Sequence, residues 1–266
     1  MAESFQSVWM ALLLASITMM LLQPGLAKGL QGQAESIEKK VKEKCEKFVK
    51  NNPERVKISC DTFWKKFTSA FVKKDPDTIK QEDYKDLLEA EPIKIQKDEL
   101  LLYSDTELLL PDNPETYVHI WQTIYGTLQG QNWCGKENSN EVFSKNCSTI
   151  PYNMYWAAVS TALAKKALGI VTVLLDGKKG YTPDSYLALY DVPNLPKKKV
   201  TGLRVLMVNE DGVNEDTCKH KSLKKLQEDI KTAMGSAVYQ YECKSIQEDI
   251  LQILSPEDWW ENPYDD

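Results

Sequence analysis

Two apolar runs dominate the second half of the chain, Ile170-Val-Thr-Val-Leu-Leu175 and Gly202-Leu-Arg-Val-Leu-Met-Val208. Both are β-branched and leucine-rich with almost no charge, a pattern that predicts buried strands of a mostly parallel sheet. Ala237 to Cys243 predicts another strand, and Leu100-Leu-Leu-Tyr-Ser104 a short strand or extended segment. Elsewhere the period is helical. Ile37, Val41, Cys45, Phe48 and Val49 form one narrow stripe on an otherwise charged helix over 33–50, stopped by Asn51-Asn52-Pro53. Its lysines and glutamates are most simply a solvated face. Phe63, Trp64, Phe67, Phe71 and Val72 mark a second helix after Cys60, an aromatic stripe that reads as core. Further helices are predicted over Thr116 to Leu128, over Tyr152 to Ala167 behind a Pro151 at the first helical position, over Ser222 to Met234, and near Ile246 to Leu254. The expected fold is α+β or α/β. A helical N-terminal part precedes a C-terminal part with a mostly parallel four-stranded sheet flanked by helices. The expected segments are 28–130 (mainly helical), 131–168 (a disulfide loop and connecting helix), 169–255 (α/β) and 256–266 (an acidic aromatic tail).

The ends and the charge change the picture in one respect. Val8 to Leu22 carries no charge and is too short to span a bilayer comfortably. Gly25-Leu26-Ala27 offers small residues at the −3 and −1 positions of a signal-peptidase site. A signal peptide over 1–27 and a secreted chain without a membrane span are therefore expected, although Glu3 and the lack of Lys or Arg before the run leave a retained anchor open. The balance of 33 basic against 39 acidic residues, net −6, argues against a nucleic-acid or anionic-membrane partner. Six cysteines suit an oxidising compartment. Their order suggests the local pairs Cys45–Cys60, Cys134–Cys147 and Cys218–Cys243, but six cysteines allow about 15 pairings and proximity alone does not choose among them. With two histidines, His119 and His220, and no Cys-x-x-Cys, no metal site is expected.

The chemistry concentrates in Tyr181 to Leu195, between the two apolar strands. Ligand sites of parallel sheets lie in the crevice at the carboxyl ends of the strands. Asp191 is the one acid embedded among Tyr186, Leu187, Leu189 and Tyr190, because Asp184 belongs to a Pro183-Asp184-Ser185 turn. It is either a catalytic group or a turn-capping one. Trp156, on an apolar helix face, reads equally as core, and Trp133 beside Cys134 reads as packing against a disulfide. Trp259-Trp260 is either a docking element or a free tail.

Four motifs together resemble the ADP-ribosyl cyclase/cyclic ADP-ribose hydrolase family, which cleaves NAD. Cys45 and Cys60-Asp-Thr-Phe-Trp64 look like its first disulfide and helix hairpin. Trp133-Cys134-Gly135 with Cys147 looks like its Trp-Cys-Gly cysteine and that cysteine's partner. Tyr155-Trp156-Ala-Ala-Val-Ser160 looks like its Phe-Trp-x-x-x-Ser helix. Pro183-Asp184-Ser185 through Tyr190-Asp191-Val-Pro-Asn-Leu195 is similar to its Pro-Asp-Ser…Tyr-Glu-x-Pro-Asn-Leu segment. The likeness runs in the same order over about residues 40 to 255.

The resemblance implies NAD as substrate, no cofactor, and admits a homodimer. Nicotinamide leaves C1′ of the ribose, a carboxylate stabilises the cation that develops, and indole faces hold the pyridinium. Water attack then gives ADP-ribose, and attack by the adenine gives cyclic ADP-ribose. Asp191 and Ser160 are the implied catalytic residues. Trp156, Tyr103, Trp121 and Leu187 are the implied substrate contacts. Three positions depart from the family pattern. Asp191 stands where the family has Glu, one methylene longer, and a misplacement of about 1 Å can cost about 100-fold in rate. Tyr103 before Ser104 replaces a Trp. His119-Ile120-Trp121-Gln122 falls on the acidic Thr-Leu-Glu-Asp motif and lacks both its carboxylates. The expected function is a secreted NAD glycohydrolase or ADP-ribosyl cyclase. The alternative is a weakened or inactive pseudoenzyme, acting as a secreted nucleotide-binding or structural protein.

Overall fold

A computed structural model describes residues 25–104, 106, 117–213, 215–235 and 240–248, with side chains from 37 onward. Residues 1–24 of the expected signal peptide and the 256–266 tail lie outside this set. The chain starts as helix α1 (Gly25–Asn51), followed by α2 (Cys60–Ser69) and a short α3 (Lys85–Ala90). Strand β1 (Leu101–Ser104) comes next, then α4 (Ile150–Ala164), β2 (Gly169–Asp176), β3 (Val200–Asn209), α5 (Ser222–Met234) and β4 (Gln240–Gln247). Local chemistry sets several ends. The Ser59 side chain accepts from the Thr62 N–H at the start of α2, Pro151 opens α4, and Gly235 leaves α5 at φ 79°.

The four strands pair in the order β1-β2-β3-β4, all parallel. Side chains alternate between its faces. Leu102, Val171, Val173, Leu175, Val205 and Met207 belong to the main core beneath the helices. Leu101, Leu174, Leu206, Val208 and Ile246 close a smaller cluster on the other face. Burial on both faces explains the continuous apolar runs of β2 and β3. The three expected disulfides are formed: Cys45–Cys60 joins α1 to α2, Cys134–Cys147 closes the loop before α4, and Cys218–Cys243 ties a turn to β4.

Two elements differ from expectation. The helix over Thr116 to Leu128 is replaced, in its described part, by the 3-10 turns Ile120–Gln122 and Ile124–Leu128. The β-sheet captures its start, where the Val118 N–H donates to the Glu99 carbonyl at 2.7 Å. Thr123 then stands extended at φ −109°, its hydroxyl donating to the Ile120 carbonyl at 2.7 Å, which diverts the backbone from a continuous helix. The helix near Ile246 to Leu254 does not include Ile246, which is a buried residue of β4; residues 249–254 lie outside the described set.

Candidate active site

A cavity of about 600 Å³ opens at the carboxyl end of β1, between that strand, α4 and the segment after β2. Its walls are aromatic: Tyr103 from β1, Trp121 from the first 3-10 turn, Tyr152 and Trp156 from α4, and Tyr186. Helical spacing puts Tyr152, Trp156 and Ser160 on one face of α4, four residues apart. The Trp121 and Trp156 rings meet edge to face with centroids 5.1 Å apart, and Tyr103 and Tyr152 flank them at 6.3 and 5.9 Å. Both indole N–H groups are buried without a hydrogen-bond partner among the described residues. Such orphaned donors are uncommon in a closed core.

Asp191 reaches this cavity from a π-helical turn, Leu187–Asp191. Single π turns recur at functional sites because they rotate one residue out of helical register. The turn is pinned locally. The Ser185 hydroxyl donates to the Thr182 carbonyl at 2.7 Å and accepts the Ala188 N–H at 3.2 Å, while the Asn194 amide donates to the Tyr190 carbonyl at 2.8 Å. Its upstream end is tied to α5, where the Tyr181 N–H donates to the Ser222 hydroxyl at 2.8 Å and the Tyr181 hydroxyl to Asp229 at 3.0 Å. Gly180 makes this approach possible. It sits at φ +64°, and a side chain there would collide with Ser222 and His220.

The Asp191 carboxyl is 4% exposed. The Ser160 hydroxyl donates to its Oδ1 and is its one hydrogen-bond partner among the described residues. Burial pushes the acid from its ordinary 3.8 up to about 7, and the Ser160 bond opposes that rise. The site therefore contains a carboxyl group near its titration midpoint at neutral pH, in reach of a cavity whose walls suit a planar cation. Among the described residues, no group of three His, Cys, Asp or Glu could hold a metal ion.

Of the residues expected at the site, Asp191, Ser160, Trp156, Tyr103 and Trp121 converge on this one cavity. Leu187 does not: it is fully buried in the core one turn before Asp191 and is not part of the lining. Tyr152, Asn153, Thr182, Ser185 and Tyr186 line the cavity without having been anticipated. The helical spacing of Tyr152 from Trp156 could have revealed the first, and Asn153 follows it on the same helix; Thr182, Ser185 and Tyr186 belong to the irregular stretch before the π turn, which has no period to read.

The parallel sheet and the strand-end cavity with its buried acid define an α/β protein whose cavity lies where such sheets carry their small-molecule sites. A family model described as ADP-ribosyl cyclase matches residues 34–257, and the chain belongs to that family. It is 27% identical over 206 residues to the human protein "ADP-ribosyl cyclase/cyclic ADP-ribose hydrolase 2", covering 72% of this chain. It spans only 63% of that relative's length. A solved structure of CD38 superposes with a TM-score of 0.72 at 24% identity, covering 82% of this chain and 95% of that one, a likeness of fold. The Aplysia cyclase complexed with substrate NGD and product cGDPR gives a TM-score of 0.66 at 25% identity, covering 79% and 88%.

Proposed function

We propose that this protein cleaves the nicotinamide–ribose bond of NAD, giving ADP-ribose, cyclic ADP-ribose or both. The observation that carries the proposal is Asp191, a nearly buried carboxyl held by Ser160 against a cavity with five aromatic residues in its wall. As the C1′–N bond breaks, its electron pair leaves with nicotinamide and positive charge develops on the ribose. The ionised Asp191 stabilises that charge at short range in a site of low dielectric. Ser160 fixes the carboxylate's orientation, and the rings of Trp156, Trp121 and Tyr103 hold the pyridinium. Membership of the ADP-ribosyl cyclase family and the likeness to the Aplysia cyclase support the reaction class. Three disulfides support an oxidising, extracellular setting.

The test is chromatography of NAD incubated with purified protein, beside Asp191→Asn. Nicotinamide release should fall by about 100-fold or more in the variant, the scale of losing one charge-stabilising group. The second reading is a nucleotide-binding protein without turnover. What favours it is that the Asp191 carboxyl is bonded by Ser160 and held toward its neutral form by burial. Absence of release from the unmodified protein, with NAD still raising its melting temperature, would establish that reading instead.

A further inference from the structure

A second cavity, of about 170 Å³, lies in the helical part of the molecule, and no residue lines both it and the site above. It is smaller than the ~300–1,000 Å³ of sites for drug-sized molecules, so it suits a small ligand. Much of its wall is apolar, with Ile93, Val118, Ile124 and Tyr125 all buried. Glu91 is the one buried charged residue in that wall. The Lys57 and Ile58 N–H groups both donate to its Oε2, at 2.9 and 2.8 Å, and its Oε1 has no hydrogen-bond partner among the described residues. A carboxylate accepts through both oxygens, so Oε1 can still take a donor. The acid is also held from behind, where the Tyr125 hydroxyl donates to the Glu91 carbonyl at 2.5 Å.

Two cations stand at the rim. Arg55 and Lys94 line the cavity, are exposed, and make no ion pair or side-chain hydrogen bond among the described residues. The other acid of the lining, Glu99, is engaged locally, its Oε2 accepting the Gln96 N–H at 2.7 Å. The cavity therefore separates its charges, negative in the buried wall and positive at the mouth, with apolar surface between. A simple cation has to pass Arg55 and Lys94, and a simple anion meets Glu91. A molecule with both charges meets a partner for each, which is what offsets their desolvation.

We infer that this cavity binds a small zwitterion, an α-amino acid with a short aliphatic side chain. The ligand's ammonium donates to Glu91 Oε1, its carboxylate pairs with Arg55 and Lys94, and its side chain packs on Ile93, Val118 and Ile124. The inference is independent of NAD cleavage.

The experiment titrates the full chain by calorimetry with L-leucine, isopentylamine (leucine without its carboxylate) and isocaproate (leucine without its ammonium). Leucine should saturate one site with a Kd of about 1 mM or tighter. Each truncated probe should bind about tenfold more weakly or worse, the scale of one charged hydrogen bond. Glu91→Gln and Arg55→Ala should each weaken leucine by a similar factor. Arg55 is exposed and unpaired, so its variant tests the site without disturbing the fold. Asp191→Asn should leave leucine binding unchanged, because that residue lines the other cavity. Several results would overturn the inference: no saturable binding of leucine, either truncated probe binding as well as leucine, or a leucine affinity indifferent to both Glu91→Gln and Arg55→Ala.

Discussion

The protein buries two carboxyl groups among its described residues, and it treats them in opposite ways. Glu91, in the helical part, is 6% exposed and accepts the backbone N–H groups of Lys57 and Ile58 at 2.9 and 2.8 Å. The aromatic cluster in the same part is complete. The Trp133 indole N–H donates to the Tyr84 hydroxyl at 3.2 Å, Tyr84 donates to the Pro151 carbonyl at 2.7 Å, and Tyr155 donates to the Tyr125 carbonyl at 2.8 Å. Around the cavity the same residue types are left incomplete. Among the described residues, Asp191 has Ser160 alone, and Trp121 and Trp156 have orphaned indole N–H groups. Tyr155 and Trp156 are neighbours on α4, one facing the closed cluster and the other the cavity. In these two places, complete polar pairing goes with the packed core and incomplete pairing with the cavity wall.

This contrast can be tested by substitution. The largest effect belongs to the closed cluster. Trp133→Ala removes a fully buried indole packed edge to face on Phe67 and Tyr155, and should cost about 3–5 kcal/mol in chemical denaturation. A loss below about 1 kcal/mol would mean the cluster is looser than its geometry. Next comes Asp191→Asn, with the opposite sign. The folded carboxyl titrates near 7 instead of 3.8, so the native state holds the proton more tightly than the unfolded chain. Native stability therefore falls as pH rises between these values. Asn does not titrate. The variant should match the unmodified protein near pH 4, gain melting temperature steadily up to about pH 7, and keep a constant advantage of several degrees above it. A melting temperature lowered at pH 8 would show that Asp191 stabilises the fold. Glu91→Gln should instead destabilise, by about 1 kcal/mol at neutral pH, because it weakens the acceptor for two buried N–H groups. Tyr181→Phe is the smallest, about 0.5–1 kcal/mol for one hydroxyl bond to the partly exposed Asp229.

Where burial imposes a simple period, the sequence revealed the structure. β2 and β3 are covered on both faces and read as unbroken apolar runs, and α5 spans the same residues as its apolar spacing. β4 was legible only in part, because it mixes exposed and half-buried residues such as Gln240, Glu242 and Lys244, so its end resembled the start of a helix. The segment around Thr123 was misread for a different reason. Its residues repeat helically, but long-range pairing of Val118 and a side-chain bond from Thr123 outcompete the helix. At the site, Asp191 was legible as an acid among aromatics. The π turn that aims it was not, since a five-residue register change leaves no trace in apolar spacing. It also explains Leu187, which shares the motif but turns into the core.

The central claim is that Asp191 is a working carboxylate because its environment leaves it underpaired. The pH dependence of kcat/KM for nicotinamide release tests this most directly, as that ratio reports groups of the free protein. The account predicts a rise with pH to a plateau, with a midpoint at about 7. Because the Ser160 bond holds the acid down, Ser160→Ala should move the midpoint upward. A profile flat from about pH 5 to about pH 9, or a midpoint that does not move in Ser160→Ala, would contradict it.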